Sequence, residues 1–562
     1  MKSSIYLILL FSFQLSVISA ENYLHERVYL QTDKNLYLAG EPVLMKLMTV
    51  DSELLPLVFS KIAYVELVGD TIAKIQIMVE IKDGIGLGKM MLPADLPTGY
   101  YRLIAYTQYM RNEDSDVFFE KNIAVLNSFQ SRNDNEETEQ KNFAIDLFSM
   151  TEDNAGDVSV QTDKSKYTTR ERGELIINGL PENIHTLSLT IAAKDFIPVN
   201  GSNISLFQKN KTNKSTNFSN EFLPEYEGHI ITGKIIDNQS GQQLSKEAVL
   251  APGISFPTVD GIRFFAGQQS ENGDVRFFAS NSAGTNEIAT IVYHADDKYH
   301  IDVNSPFVSR FAPKPTPPLQ IDSVYYEQLL ERSVALQLFR YFSEATLKDN
   351  NIPGSYLKMT PSMSYPLDEY TRFTTMREVF IEFILGARFR KNAGKQEISV
   401  LTTKGGFYEY GSMPLVLLDG VPIANHEAIY NYDPLKVEQI NIYSGPFLFG
   451  GYQFDGIVEL ITYSRLHADL DLTDALQVLT YDSPQLPYFF ITPDYSEEKN
   501  RKSRMPDARN TLLWYPDVKT NSEKSIRLYF DTSDLTGEYQ ATVEGITKDG
   551  KHIFSNLFFN VR

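Results

Sequence analysis

Apolar and polar positions alternate in short bursts through residues 21–127, at Val28-Tyr-Leu30, Ala63-Tyr-Val-Glu-Leu67, Ile75-Gln-Ile-Met-Val79 and Tyr101-Arg-Leu-Ile-Ala-Tyr106. Alternation with period two, broken by turn signals such as Asp83-Gly84 and Pro97-Thr-Gly99, predicts an antiparallel β-sandwich. The same rhythm predicts a second sandwich over 146–228 and a third over 229–312. Between the first two, residues 128–145 are polar and charged, including Arg132-Asn-Asp-Asn-Glu-Glu137, and read as a linker. The Asn/Ser/Lys-rich stretch 200–221 reads as a mobile loop.

The pattern changes after 312. Pro313-Lys-Pro-Thr-Pro-Pro318 opens a stiff spacer within 313–360. Leu329, Leu330, Leu336, Leu338 and Phe339 follow at helical spacing, predicting a helix over 325–347. Residues 361–470 combine a helical piece (376–387) with short strands, an α+β domain. There Leu415-Val-Leu-Leu418 and Ile457-Val-Glu-Leu-Ile461 are almost continuously apolar, and are expected as central strands buried on both faces. The final segment, 471–562, returns to strands. It is expected to complete a sandwich, the third being the one short of strands. The fold class is therefore mainly β: tandem immunoglobulin-like sandwiches plus a small α+β domain.

Two internal repeats support this division. Gln31-Thr-Asp-Lys-Asn-Leu-Tyr37 recurs as Gln161-Thr-Asp-Lys-Ser-Lys-Tyr167, each after an alternating strand. That spacing is too long for a solenoid unit and fits duplicated sandwiches. Tyr37 and Tyr167 are thus expected at equivalent positions. More loosely, Asp95-Leu-Pro-Thr-Gly-Tyr-Tyr101 matches Asp534-Leu-Thr-Gly-Glu-Tyr539. In each, a turn leads into a tyrosine able to bond backbone across a sandwich corner.

Composition narrows the functional classes. Residues 1–20 have a short basic start, an apolar run and small residues before Glu21, the pattern of a secretory signal. The run is too short and interrupted for a membrane span. The mature chain is expected to be exported, with peripheral membrane association at most. There is no cysteine, which excludes disulfides, thiolate metal sites and cysteine nucleophiles. An excess of 72 acidic over 52 basic residues argues against nucleic acid and anionic lipid.

The chain resembles known families in two places. Val28-Tyr-Leu-Gln-Thr-Asp-Lys-Asn-Leu-Tyr-Leu-Ala-Gly-Glu41 and Leu92-Pro-Ala-Asp-Leu-Pro-Thr-Gly-Tyr-Tyr-Arg-Leu-Ile-Ala-Tyr-Thr107 resemble the opening and closing strands of the macroglobulin MG2 domain. The copy from Val158 resembles a following macroglobulin-like domain. Pro414-Leu-Val-Leu-Leu-Asp-Gly-Val-Pro-Ile423, Asp433-Pro-Leu-Lys-Val-Glu-Gln-Ile-Asn-Ile442 and Gly450-Gly-Tyr-Gln-Phe-Asp-Gly-Ile457 resemble the plug domain of TonB-dependent receptors. The combination looks like exported Bacteroidota proteins carrying both modules. Too few residues follow the plug-like part for a receptor barrel of about 22 strands, so the chain is not expected to be itself the transporter, and the resemblance implies a place in the periplasm or at the outer membrane. Without a cysteine, thioester trapping of proteases is excluded.

Candidate chemistry is sparse. No HExxH, nucleophile elbow or phosphate loop occurs. Asp33 and Asp163 read as turn braces, Asp419-Gly420 as a hairpin turn, and Gly84-Ile-Gly-Leu-Gly88 as a hairpin turn. His294 and His300 flank Asp296 and Asp297 in what reads as a solvated loop. No catalytic residue, cofactor or metal ligand is assigned. Tyr430, Tyr432, Phe447, Phe449 and Tyr452 are expected as exposed loop aromatics that anchor a partner, such as a TonB-dependent transporter or the outer-membrane assembly machinery. The functional expectation is a non-enzymatic binding or scaffold protein. The alternatives are a thioester-free protease-binding protein using 200–221 as bait, and a hydrolase with an unfamiliar site.

Overall fold

A computed structural model describes residues 24–128, 158–194, 218–244, 250–259, 261–280, 282–284, 287–293, 298–314, 319, 323–343, 359–404, 407–466, 476–520 and 524–562. The expected signal sequence (1–20), most of the 128–145 linker and most of the 200–221 loop lie outside these residues. The mainly β class holds: among the described residues, seven sheets account for most of the architecture.

The first sandwich is an eight-stranded arrangement in the order Glu26–Thr32, Pro42–Asp51, Ile85–Met91, Ala73–Lys82, Ile62–Val68, Gly99–Tyr106, Phe119–Leu126 and Leu36–Leu38. Its Asp83-Gly84 turn takes positive φ at both residues, 52° and 81°, the mark of a type I′ hairpin. Only Gly84 of the expected glycine turn lies in it. Gly86 and Gly88 are strand residues pressed against Ile81 and Val79.

The second sandwich corrects the domain reading. The described residues of 146–228 supply Ser159–Thr162, Lys166–Tyr167, Arg172–Asn178 and Ile184–Ala193 to it. The other strands are Thr511–Tyr515, Ser525–Asp531, Gly537–Thr547 and His552–Val561. Ile184–Ala193 pairs antiparallel with both Gly537–Thr547 and Thr511–Tyr515. The C-terminal segment therefore completes chiefly the second sandwich, not the third. Alternation identifies a strand that buries one face; it does not identify its partner. Everything between the two halves is an insertion, and its two ends meet where Ala193 N–H donates to the Asn510 carbonyl at 2.8 Å.

The third sandwich has two four-stranded sheets. One is Gln268–Gln269, Asp274–Ala279, His229–Asp237 and Tyr299–Val303; the other is Phe264–Ala266, Ala251–Ser255, Glu287–Tyr293 and Leu476–Thr480. Its last strand also arrives from beyond the α+β domain, so the insertions are nested. The α+β domain has a five-stranded sheet ordered Met363–Pro366, Val437–Phe449, Tyr452–Thr462, Pro414–Leu418 and Val421–Pro422. Leu415–Leu418 and Ile457–Ile461 are buried along their length, as their composition predicts. A three-stranded sheet, Ala387–Asn392, Lys395–Lys404 and Phe407–Gly411, and two short helices, Met376–Glu382 and His426–Tyr430, complete it. The first of these helices ends earlier than expected, and Ala387 begins a strand instead.

The helix Tyr326–Ser343 is docked rather than a free spacer. Leu336 packs with Leu36, Leu38, Ala124 and Leu126 of the first sandwich. The Arg332 guanidinium reaches Glu41 and the Leu36 carbonyl. No helix among the described residues is long and apolar enough to cross a membrane.

The repeated heptad forms the same structure twice. The Tyr37 hydroxyl donates to Asp33 (2.8 Å) and accepts from Lys34 N–H (3.1 Å); that of Tyr167 donates to Asp163 (2.6 Å) and accepts from Lys164 N–H (3.2 Å). Each aspartate brings in a strand by accepting a backbone N–H, from Leu44 and from Glu174. Both tyrosines sit on a short strand parallel to the last strand of their sandwich, opposite Val125 and Val561. The looser repeat also holds. Tyr101 donates to the Pro97 carbonyl at 2.8 Å and Tyr539 to the Leu535 carbonyl at 3.0 Å.

Candidate functional site

The five aromatics singled out in the sequence are not exposed loop residues. All five are half-buried. Tyr430 ends its helix with its ring edge-on to Phe389 at 5.1 Å, and Tyr432 packs on the same core. Phe447 and Phe449 lie on the strand Val437–Phe449, where they pair with Phe454 and Tyr452. Phe449 meets Phe264 of the third sandwich edge-on at 5.6 Å, and the Tyr452 hydroxyl donates to the Leu250 carbonyl at 3.0 Å. These rings join the α+β domain to the third sandwich. The reading as a loop fails because the hairpin continues past Pro446, which sits at a register shift between Ser444 and Phe447. Leu448, between the two phenylalanines, is the outward residue, 74% exposed.

A second joint fixes this arrangement. The Asp419-Gly420 turn, with φ of 48° and 83°, is the expected type I′ hairpin, and it inserts into the third sandwich. Ser255 donates to the Gly420 carbonyl at 2.5 Å, and a Cβ at Gly420 would strike the Thr258 backbone at 2.4 Å. Asp419 is held from behind by the Thr462 N–H and hydroxyl, at 2.8 and 2.6 Å.

With those rings accounted for, the outward surface of the α+β domain is the three-stranded sheet. Its register pairs Arg388 with Ser399, Arg390 with Glu397, Leu401 with Tyr410 and Thr403 with Tyr408. Directly paired residues share a face. The inner face carries buried Ala387, Ile398 and Val400, with Phe389 against Phe380 at 4.6 Å. The outer face carries Arg388, Arg390, Tyr408 and Tyr410. The Arg388 guanidinium stacks 3.8 Å over the Tyr410 ring, whose hydroxyl donates to the Leu385 carbonyl at 3.1 Å. Tyr408 is 79% exposed, and beside this sheet Leu385 is 74% and Ile381 64% exposed. Arg390 and Lys391 are exposed and have no ion-pair partner among the described residues.

This sheet is also electrostatically unusual. Residues 387–411 contain Arg388, Arg390, Lys391, Lys395 and Lys404 against only Glu397 and Glu409, in a chain of net charge −20. Among the described residues, Arg388–Asn392 make no backbone hydrogen bond outside this sheet. Among the described residues the strand Ala387–Asn392 therefore presents an open edge past Ala387. The signal was in the sequence, in Arg388-Phe-Arg-Lys391 and Tyr408-Glu-Tyr410. Reading 376–387 as helix hid the strand that follows it.

Titratable groups elsewhere are sealed in joints. At the seam between the first and third sandwiches, His229 Nδ1 lies 2.8 Å from Glu225 and its Nε2 2.5 Å from the Tyr481 hydroxyl; Tyr64 also bonds Glu225. All four side chains are buried. Burial pushes Glu41 up, but the Arg332 and Lys34 charges outweigh it and hold its carboxyl at about 2. The cavity beside Glu41, lined also by Leu336, Phe339, Phe490 and Arg509, is about 40 Å³, room for little more than water. Burial pulls His426 down to about 4, and its ring accepts from Ile398 N–H. Among the described residues no cluster of three or more His, Asp or Glu is arranged to hold a metal ion.

No family model matches the chain, and no curated protein matches it. Solved structures similar to it include Escherichia coli alpha-2-macroglobulin activated by porcine elastase, at 10% identity over 95% of this chain and 43% of that one, with a TM-score of 0.23. Another is Salmonella alpha-2-macroglobulin reacted with methylamine, at 9% identity over 97% and 40%, with a TM-score of 0.24. The chain spans about two fifths of the length of these structures. At such scores the likeness carries no argument about activity.

Proposed function

We propose that this is a non-enzymatic, exported binding or scaffold protein that works without a cofactor. It acts with outer-membrane transport or assembly machinery through its plug-like and sandwich domains. The observation that carries the reading is the outer face of the three-stranded sheet, where Arg388 stacks on Tyr410, the Tyr410 hydroxyl reaches the carbonyl of exposed Leu385, and Arg390 and Tyr408 are exposed. Tyr and Arg are enriched in protein interfaces and dominate their energetic centres. The sandwiches serve as a stiff mount, since the first and third share one continuous core and the third shares another with the α+β domain.

Affinity capture from detergent-solubilised envelope tests this, comparing wild type with Tyr408→Ser/Leu385→Ser. Loss of a captured outer-membrane protein at unchanged melting temperature is the expected result. Equal capture by both proteins would remove this face from the proposal. Carbonate or high-salt extraction tests the peripheral location; release only by detergent would contradict it.

A further inference from the structure

Resting on that reading, we infer that the outer strand Ala387–Asn392 receives an acidic, extended polypeptide segment, which adds to the sheet as a fourth strand. Three observations meet here. The strand edge is open: its described residues past Ala387 bond backbone only within the sheet. Arg388 and Arg390 stand on one face two residues apart, about 7 Å along the strand, which matches carboxylates at alternate positions of an added strand. The patch is basic within a chain of net charge −20, so charge complementarity selects an acidic partner. Edge lysine and arginine also discourage pairing between identical edges, so the same residues that repel a second copy admit an acidic strand. A polypeptide is favoured over an anionic membrane because only a polypeptide uses the free N–H and C=O groups of the edge.

The test uses the full mature chain and a fluorescein-labelled octapeptide of alternating Glu and Val. Controls are an alternating Lys/Val octapeptide, a block octapeptide with all its glutamates ahead of its valines, and phosphatidylglycerol vesicles. The expected result is saturable binding of the alternating acidic peptide, weakened at least tenfold by Arg388→Glu/Arg390→Glu, with slowed amide exchange across Arg388–Asn392. The charge-reversed variant should bind the Lys/Val peptide instead, which shows that it is folded. Arg390→Glu alone, at an exposed position, provides a milder second variant. Equal binding of the block peptide, indifference to charge reversal, unchanged edge amides, or binding to vesicles alone would each overturn the inference. If the peptide fails while Tyr408→Ser/Leu385→Ser still abolishes envelope capture, the inference falls and the proposed function stands. If the peptide binds but capture is unaffected, the inference stands and this face drops out of the proposed function.

Discussion

The duplicated heptad offers an experiment with its own control. Tyr37→Phe and Tyr167→Phe remove the same hydroxyl from the same local structure in two settings. In the first sandwich Tyr37, Asp33 and Lys34 are all buried, and Asp33 also accepts from Thr511 of the second sandwich at 2.9 Å. Removing the hydroxyl strands the Lys34 N–H and takes one donor from a buried carboxylate. An unmet buried group costs about 1–3 kcal/mol and a bond to a charged group about 1.5–3, so a loss of about 3 kcal/mol is expected. In the second sandwich the Tyr167 ring is buried but Asp163 and Lys164 are exposed, so water replaces the lost bond and the cost is about 1 kcal/mol. Native-state hydrogen exchange at the Leu44 and Glu174 amides, the two strands held by the aspartates, reads each site locally. At 1.4 kcal/mol per factor of ten, protection should fall by about 100-fold at Leu44 and about 5-fold at Glu174. Equal losses, or a larger loss at Glu174, would refute the claim that burial sets the worth of this motif.

Three other outcomes are expected. Replacing Phe447, Phe449 and Tyr452 together by Ser should destabilise the α+β domain by about 5 kcal/mol, from two half-buried rings at about 2 each and one hydrogen bond at about 1; an unchanged melting temperature with lost partner capture would restore them as surface anchors. Truncation after Leu466 removes half the strands of the second sandwich and leaves Ile184–Ala193 without either neighbour, so the product should aggregate; a soluble monomer with native β circular dichroism would contradict the shared sandwich. Lys46, buried and donating to Thr186 at 2.5 Å, is pulled down to about 8 by burial, against the pull of Asp517 and Glu544. Its folded pKa lies below the ordinary value of 10.5, so the neutral form carries the stability, present in full above that value and lost as pH falls through about 8. Between pH 8 and 10.5 the wild type should therefore gain about 3 kcal/mol relative to Lys46→Met in urea unfolding, and parallel curves would sink this account.

The sequence was most legible where local chemistry alone decides the outcome. Type I′ turns at Asp83-Gly84 and Asp419-Gly420 follow from residues that tolerate positive φ. The tyrosine corners at Tyr101 and Tyr539 close over four residues, so a short motif contains all their parts. Apolar continuity placed Leu415–Leu418 and Ile457–Ile461 in a sheet covered on both sides. What failed depends on distant partners. Nothing near Ile184 encodes that its neighbours are Gly537–Thr547 and Thr511–Tyr515. The exposure expected of the aromatics was misjudged for the same reason: Phe449 looks like a surface residue until Phe264, far away in sequence, is placed against it. The Arg388/Tyr410 face needed a strand register that a helix-like pattern concealed.

The nested connectivity gives the proposed scaffold a mechanical logic. The α+β domain is inserted in the third sandwich, between Tyr299–Val303 and Leu476–Thr480, and both lie within an insertion in the second sandwich. Each insertion is held by two chain passes rather than one, so a partner pulling on the Arg388/Tyr408 face loads two connections at every level. A single flexible linker would let such a domain reorient; two passes pinned by the Ala193–Asn510 hydrogen bond restrict it. The polar joints act in the same direction. Glu225, His229, Tyr64 and Tyr481 come from three separate stretches of chain, and they bond only when all three are in place. Because each buried group is costly to leave unpaired, relative motion of the first and third sandwiches is opposed by several bonds at once. The face that the α+β domain presents is thereby held in a defined direction relative to the first sandwich, which is what a protein that positions a partner requires.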